Sequence, residues 1–346
     1  MKFTRRLVTL ALAGLASTAA MVPMSAQAAE TKIKFVMNWK YEGAHAWFFL
    51  AQDRGYFKAE GLDVQFDQGE GSAASIPKVA TGAYQAGFGD LNALIDLTSK
   101  RPAQAPVGVY MLYNVSPFAI FVKSDSPIKT PKDVEGKTIG GPANDAALKL
   151  FPGFAKIAGI DASKVNITNM APNLREQMLN RGQIDAAFGY VTTATFGAKA
   201  MGMNPDKDLR FIRYGDHGMD LYSNAVFFAR DFIKENPKAV EGFVRALNRG
   251  IKDVIANPEA GLDSVAKRQP LINRDVERDR LLTHLRNDMS HPEITRIGLG
   301  DVDDVRLKKA IDILVDANQL PRTPTAGEVF DRSFLPARKL RPTKLN

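Results

Sequence analysis

The sequence predicts an α/β protein of two lobes, each a parallel sheet flanked by helices, with two crossover strands at the hinge. Three observations lead there. A short pattern recurs with every member displaced by 100 residues: Gly82, Ala86, Phe88 and Gly89 return as Gly182, Ala186, Phe188 and Gly189. In both copies, short apolar runs alternate with helical stretches over short connections, the signature of strands laid side by side under helices. Each copy also ends in an extended return.

Taken along the chain, Lys2, Arg5 and Arg6 precede an apolar run from Leu7 to Val22 and the small residues of Ala26-Gln27-Ala28. The run is shorter than the roughly 20 residues a membrane span needs. Residues 1–28 therefore read as a removable signal peptide. Strands are expected at Ile33–Val36, Leu62–Phe66, Ala86–Gly89 and Val107–Leu112, then at Thr138–Gly140, Val165–Thr168, Ala186–Gly189 and Leu209–Ile212. The returns run from Ser116 to Lys123 and from Ser223 to Arg230. From Asp231 the chain reads as helical, over Lys238–Ala256, Val276–Asp288 and Asp304–Asn318, packing on the first lobe and behind the hinge. The expected division is a discontinuous first lobe, 31–118 plus 227–346, and a continuous second lobe, 122–222.

Composition narrows the function. Apolar residues make up 45% of the chain, as in ordinary globular proteins. The absence of cysteine excludes disulfides, thiolate metal sites, cysteine nucleophiles and a lipidated cysteine anchor. A soluble, untethered, exported chain is retained by a second membrane, so a periplasmic location and a monomer are expected. The formal charge of +8 includes the leader, and Arg322, Arg332, Arg338, Lys339, Arg341 and Lys344 gather near the C-terminus. They read as a solubilising tail, without a nucleic-acid partner. No G-x-S-x-G, H-E-x-x-H or P-loop occurs, and His45, His217, His284 and His291 have no metal-binding spacing. No catalytic residue, metal or cofactor is expected.

Longer motifs carry a resemblance. Asn38-Trp39, Gln52-x-x-Gly55-Tyr56-Phe57-x-x-Glu60-Gly61-Leu62-x-Val64, the segment Lys129 to Gly140 and Asn236-Pro237 resemble the binding proteins of ABC importers. The group is that for nitrate, sulfonates, taurine and thiamine-pyrimidine precursors. The resemblance implies a type II-like periplasmic-binding-protein fold that captures a small molecule between lobes and delivers it to an ABC permease at the inner membrane. A ligand sensor of the same fold is the alternative. The group includes a fungal enzyme that builds the thiamine pyrimidine from its own histidine with iron near a cysteine-rich motif; the missing cysteines argue against that chemistry here.

Ligands of such sheets bind beyond the carboxyl ends of strands, where helix N-termini converge. That rule selects Asn38, Trp39 and Tyr41 after the first strand, the two aromatics either stacking on a flat ligand or filling core. It selects Glu70, Gly71 and Ser72 after the second, in a loose G-x-G-x-x-A that follows the wrong strand for a dinucleotide fingerprint. Asp90 and Asn92 follow the third, Asp90 being equally suited to cap a helix. Asn114 and Phe118 lie at the first crossing. Asn144, Asp145 and Tyr190 represent the second lobe, and Asp216, Asp220 and Tyr222 the loop before the second crossing, where the acids also suit turn capping. With several carboxylates and Lys40 as the only basic residue near these ends, the set favours a planar, aminopyrimidine-like ligand bearing N–H donors. A sulfonate or carboxylate drawn to helix N-termini is the competing expectation.

Overall fold

A computed structural model describes residues 30–345. The expected signal peptide lies outside the described residues. The strands are β1 (Thr31–Val36), β2 (Leu62–Asp67), β3 (Ala86–Asp90), β4 (Val107–Met111), β5 (Phe118–Lys123), β6 (Thr138–Gly141), β7 (Asn166–Asn169), β8 (Ala186–Tyr190), β9 (Leu209–Arg213) and β10 (Asn224–Phe228). They form two five-stranded sheets, ordered β2-β1-β3-β10-β4 and β7-β6-β8-β5-β9. Within each, the repeat strand β3 or β8 lies parallel to its predecessor and antiparallel to a crossing strand, β10 or β5.

The expectation of purely parallel sheets is thus corrected: both are mixed. Each crossing strand inserts between two strands of the sheet it enters, running against them, because it arrives from the opposite half. Phe118 already belongs to β5 of the second sheet, and Asn224 to Val226 to β10 of the first. The chain passes between the sheets over 112–117 and 214–223. β5 and β10 are almost wholly buried, and their largely apolar sequences FAIFVK and NAVFF suit strands covered on both faces.

The repeat glycines have a conformational cause. Gly82 and Gly182 end the matched helices Ser75–Ala80 and Arg175–Asn180 with φ of +79° and +68°, and a Cβ at either would meet nothing within 4 Å. The left-handed backbone, not crowding, demands glycine there.

An aromatic cluster anchors the first half: Phe35 of β1 lies 5.3–5.4 Å from Phe48, Phe66 and Phe243. Phe243 belongs to the helix Pro237–Ala256, which packs on Ala46–Asp53; a Cβ at Gly250 would approach the Trp47 carbonyl to 2.4 Å, so the two helix backbones nearly touch. An additional helix, Pro258–Arg268, lies between the expected second and third C-terminal elements and the first of them. The C-terminal helices do not stay behind the first half. Arg274–Thr283, which continues into one π-helical turn at His284–Asp288, packs on Val191–Ala200 of the second half. Asp304–Asn318 packs on both Leu91–Lys100 and Ala146–Ala158. Among the described residues, no helix is long and apolar enough to cross a membrane.

Candidate functional site

The carboxyl ends of β1, β2, β6 and β8 bring Asn38, Trp39, Ser72, Asp145 and Tyr190 together with Arg175 and Thr193 around a cavity of about 20 Å³. That is room for about one water molecule. A planar ligand enters only if the two halves part. Asn38 and His45 hold one wall through Nε2···Oδ1 contact at 2.8 Å. The Glu42 backbone N–H donates to His45 Nδ1, leaving Nε2 as the donor to Asn38. Burial pushes the imidazole down to about 3, with His284 and Arg280 acting the same way, so His45 is a neutral ring with a defined tautomer. Ser72 Oγ accepts from Asn224 Nδ2 at 3.2 Å, and Tyr190 Oη donates to Asn224 Oδ1 at 2.8 Å while accepting from Ser223 Oγ. Since Tyr190 belongs to the second half and Ser72 to the first, Asn224 ties the two across the cleft floor.

Arg175 is not among the residues that the sequence points to. It is 1% exposed, donates through Nε and Nη2 to Glu176 at 2.9 and 2.5 Å, and reaches Asp145 at 3.4 Å and the Phe188 carbonyl at 3.2 Å. Its guanidinium lies 5.8 Å from the centre of the Trp39 ring across the cleft. Lys40, expected as the basic residue of the site, is exposed. The 100-residue repeat held the signal. Arg175 stands where the first copy has Ser75, each opening its helix, and each is what a Cβ on the repeat glycine would strike: Gly89 on Ser75 Oγ at 2.0 Å, Gly189 on Arg175 Nη1 at 2.6 Å. Burial pushes the Asp145 carboxyl up while Arg175 acts against it.

Asp90, Asn92 and Asn144 line a wider groove of about 450 Å³ beside this chamber, shared with Ala73, Lys149 and Leu150. Ligand pockets commonly have this size. Asp90 caps Leu91–Lys100 by accepting from the Ala93 N–H, as its alternative role foresaw, and also accepts from Asn92 Nδ2 at 2.8 Å. Asn92 donates as well to the Tyr222 carbonyl at 2.7 Å. Burial drives the Asp90 carboxyl up to about 7, against these hydrogen bonds. The folded chain therefore retains a proton that the unfolded chain releases near pH 3.8. The associated stability is full below that pH and is lost as pH rises through 7, about 4 kcal/mol at most. Asp90→Asn is expected to flatten this loss when urea midpoints are compared at acid and mildly alkaline pH; an unchanged slope would refute it.

The remaining candidates lie elsewhere. Tyr41 packs edge-on against Phe49 and donates to the Phe66 carbonyl at 2.6 Å, filling the first half rather than the chamber. Glu70 is exposed, 3.6 Å from Lys78. Gly71 meets the Asn144 backbone across the cleft lip. Asn114 accepts from the His291 N–H at 3.0 Å, and Phe118 is core between Tyr190 and Tyr214. Asp216 and Asp220 are exposed, Asp220 3.2 Å from Arg306. Tyr222 points away from the chamber: its hydroxyl donates to Glu293 at 2.9 Å and Arg306 covers its ring. Tyr222 and Asp220 of this loop thus fasten the second crossing to the C-terminal segment, while Tyr214 stacks on Phe154 of the second half.

Two mixed α/β sheets facing one another across a polar cleft, joined by two crossing strands, define the periplasmic-binding-protein fold. The chain belongs to the NMT1/THI5-like family, whose sequence profile matches residues 42–261. The riboflavin-binding protein RibY of Chloroflexus aurantiacus is 23% identical over 93% of this chain and 90% of its own. The formylaminopyrimidine-binding protein of Halalkalibacterium halodurans is 24% identical over 79% and 82%. A 4-amino-5-hydroxymethyl-2-methylpyrimidine phosphate synthase of Aspergillus parasiticus is 25% identical over 79% and 84%. Among solved structures, the alkanesulfonate-binding protein SsuA of Xanthomonas axonopodis pv. citri, bound to MOPS, superposes with a TM-score of 0.66 at 14% identity, covering 88% of this chain and all of that one. The last similarity speaks for the fold alone.

Proposed function

We propose that this protein is the periplasmic ligand-capturing component of an ABC importer, and that it closes on a planar nitrogen heterocycle without altering it. The observation that carries the reading is the chamber chemistry. Trp39 and Tyr190 supply flat faces, while Asn38 and Asp145 supply acceptors for N–H donors. Arg175 does not make the chamber cationic, since Glu176 and Asp145 already answer its charge. The names of the riboflavin- and formylaminopyrimidine-binding relatives support a heterocycle. The synthase relative is set apart by the same reasoning as in the sequence: this chain has no cysteine for an iron motif. The moving bodies are the two lobes expected from sequence, with hinges at 112–117 and 214–223.

A second reading has its own observation: a buried guanidinium faces the cleft, and a structural neighbour is bound to a sulfonate. Thermal shift separates the two. Riboflavin, 4-amino-5-hydroxymethyl-2-methylpyrimidine and MOPS are compared, a ligand at 100 times Kd adding about 2.7 kcal/mol of stability. Stabilisation by a heterocycle, with the compound recovered unchanged, is the expected result. Stabilisation by MOPS alone would transfer the assignment to sulfonates, and a response to none would remove both.

A further inference from the structure

Behind the chamber, a second group of buried polar atoms is left without partners. Tyr113, in the first crossing, is 1% exposed and its hydroxyl has no hydrogen bond. Its ring stacks on His284 with centroids 5.1 Å apart and planes 15° from parallel. His284 is also 1% exposed; Nδ1 lies 2.6 Å from Asp288 Oδ2, close enough to be its partner although poorly aligned, and Nε2 has none. A buried donor or acceptor left unmade costs about 1–3 kcal/mol, and such groups in folded proteins nearly always have a partner. Here both belong to one pair of stacked rings, with His284 on a π-helical turn, a distortion that recurs at functional sites. The place adjoins the cleft: the Tyr113 backbone N–H donates to the Asn224 carbonyl at 2.9 Å, and the Tyr113 carbonyl accepts from the Ser223 N–H at 2.9 Å.

The chemistry of the pair is specific. In the tautomer that points Nδ1–H at Asp288, His284 presents Nε2 as an acceptor, while Tyr113 presents an O–H donor. We propose that Tyr113 and His284 form a second ligand subsite that takes a neutral group able to donate and accept together, the amidine edge of an aminoheterocycle or a hydroxyl. An anion satisfies only the tyrosine and sits against Asp288 and Glu42. His284 and Asp288 lie beyond residues 42–261, the part matched by the family profile. The inference rests on the heterocycle reading for its ligand, and deepens it.

Tyr113→Phe tests it, because the hydroxyl it removes has no protein partner. Folding alone predicts an unchanged or slightly higher melting temperature and nothing else. The subsite predicts in addition a loss of at least tenfold in calorimetric affinity for 4-amino-5-hydroxymethyl-2-methylpyrimidine. Equal affinity in the two proteins overturns the subsite and leaves the heterocycle reading standing. Should the wild-type chain bind no heterocycle, crystals soaked with acetamide, a minimal neutral donor and acceptor, decide separately. Acetamide on Tyr113 Oη and His284 Nε2 supports the subsite; water alone there, or acetamide only elsewhere, overturns it.

Discussion

Replacing Arg175 with methionine is expected to lower folding stability by about 3–5 kcal/mol, the usual result of removing one partner from a buried ionic group. The side chain leaves behind Glu176 and Asp145, both at least nine-tenths buried, and the Phe188 carbonyl that it also satisfies. Methionine fills much of the volume, so the loss is electrostatic rather than a cavity. The control is the double variant Arg175→Met with Glu176→Gln. It removes the tightest bond and the stranded charge together, and should recover part of the loss. Urea denaturation measures both. A single-variant loss below about 1 kcal/mol would mean that these charges behave as exposed surface pairs do.

Gly71→Ala is expected to prop the cleft open. Gly71 has φ of +142°, and a Cβ there would lie 2.3 Å from the Asn144 carbonyl oxygen on the facing half. Both atoms in that collision are fixed to backbone, so a side-chain adjustment cannot relieve it. Backbone strain costs about 1–3 kcal/mol whether or not the halves are together. The clash costs a further amount, about 3 kcal/mol, only when they meet. Since 1.4 kcal/mol is a factor of ten, ligand affinity should fall about 100-fold. Scattering with a saturating ligand should show compaction in the wild type and little in the variant. Equal compaction in both would show that this lip contact plays no part in closure.

Much of this molecule is legible in one dimension. The 100-residue repeat, the strands around it and the glycines at 82 and 182 follow from local rules: apolar runs make buried strands, and a left-handed helix end excludes a Cβ. The rule that ligands gather at strand carboxyl ends also located Asn38, Trp39, Ser72, Asp145 and Tyr190, which do meet around one cavity. Local rules could not say that the returns run against their neighbours, because direction within a sheet depends on where the chain comes from. Nor could they separate Tyr190, aimed at the cleft floor, from Tyr222, aimed at Glu293; both are tyrosines close to a strand terminus. Arg175-Glu176 reads in sequence as an exposed helix start. Its burial was decided by tertiary packing alone, since glycine at 189 lets the guanidinium lie against the strand, and Asp145, 30 residues earlier, closes over it. The same holds for His284 and Asp288, brought beneath the cleft by a C-terminal helix whose own pattern says only that one face is apolar. Burial of a charge depends on partners distant in the chain, and only the folded structure brings them together.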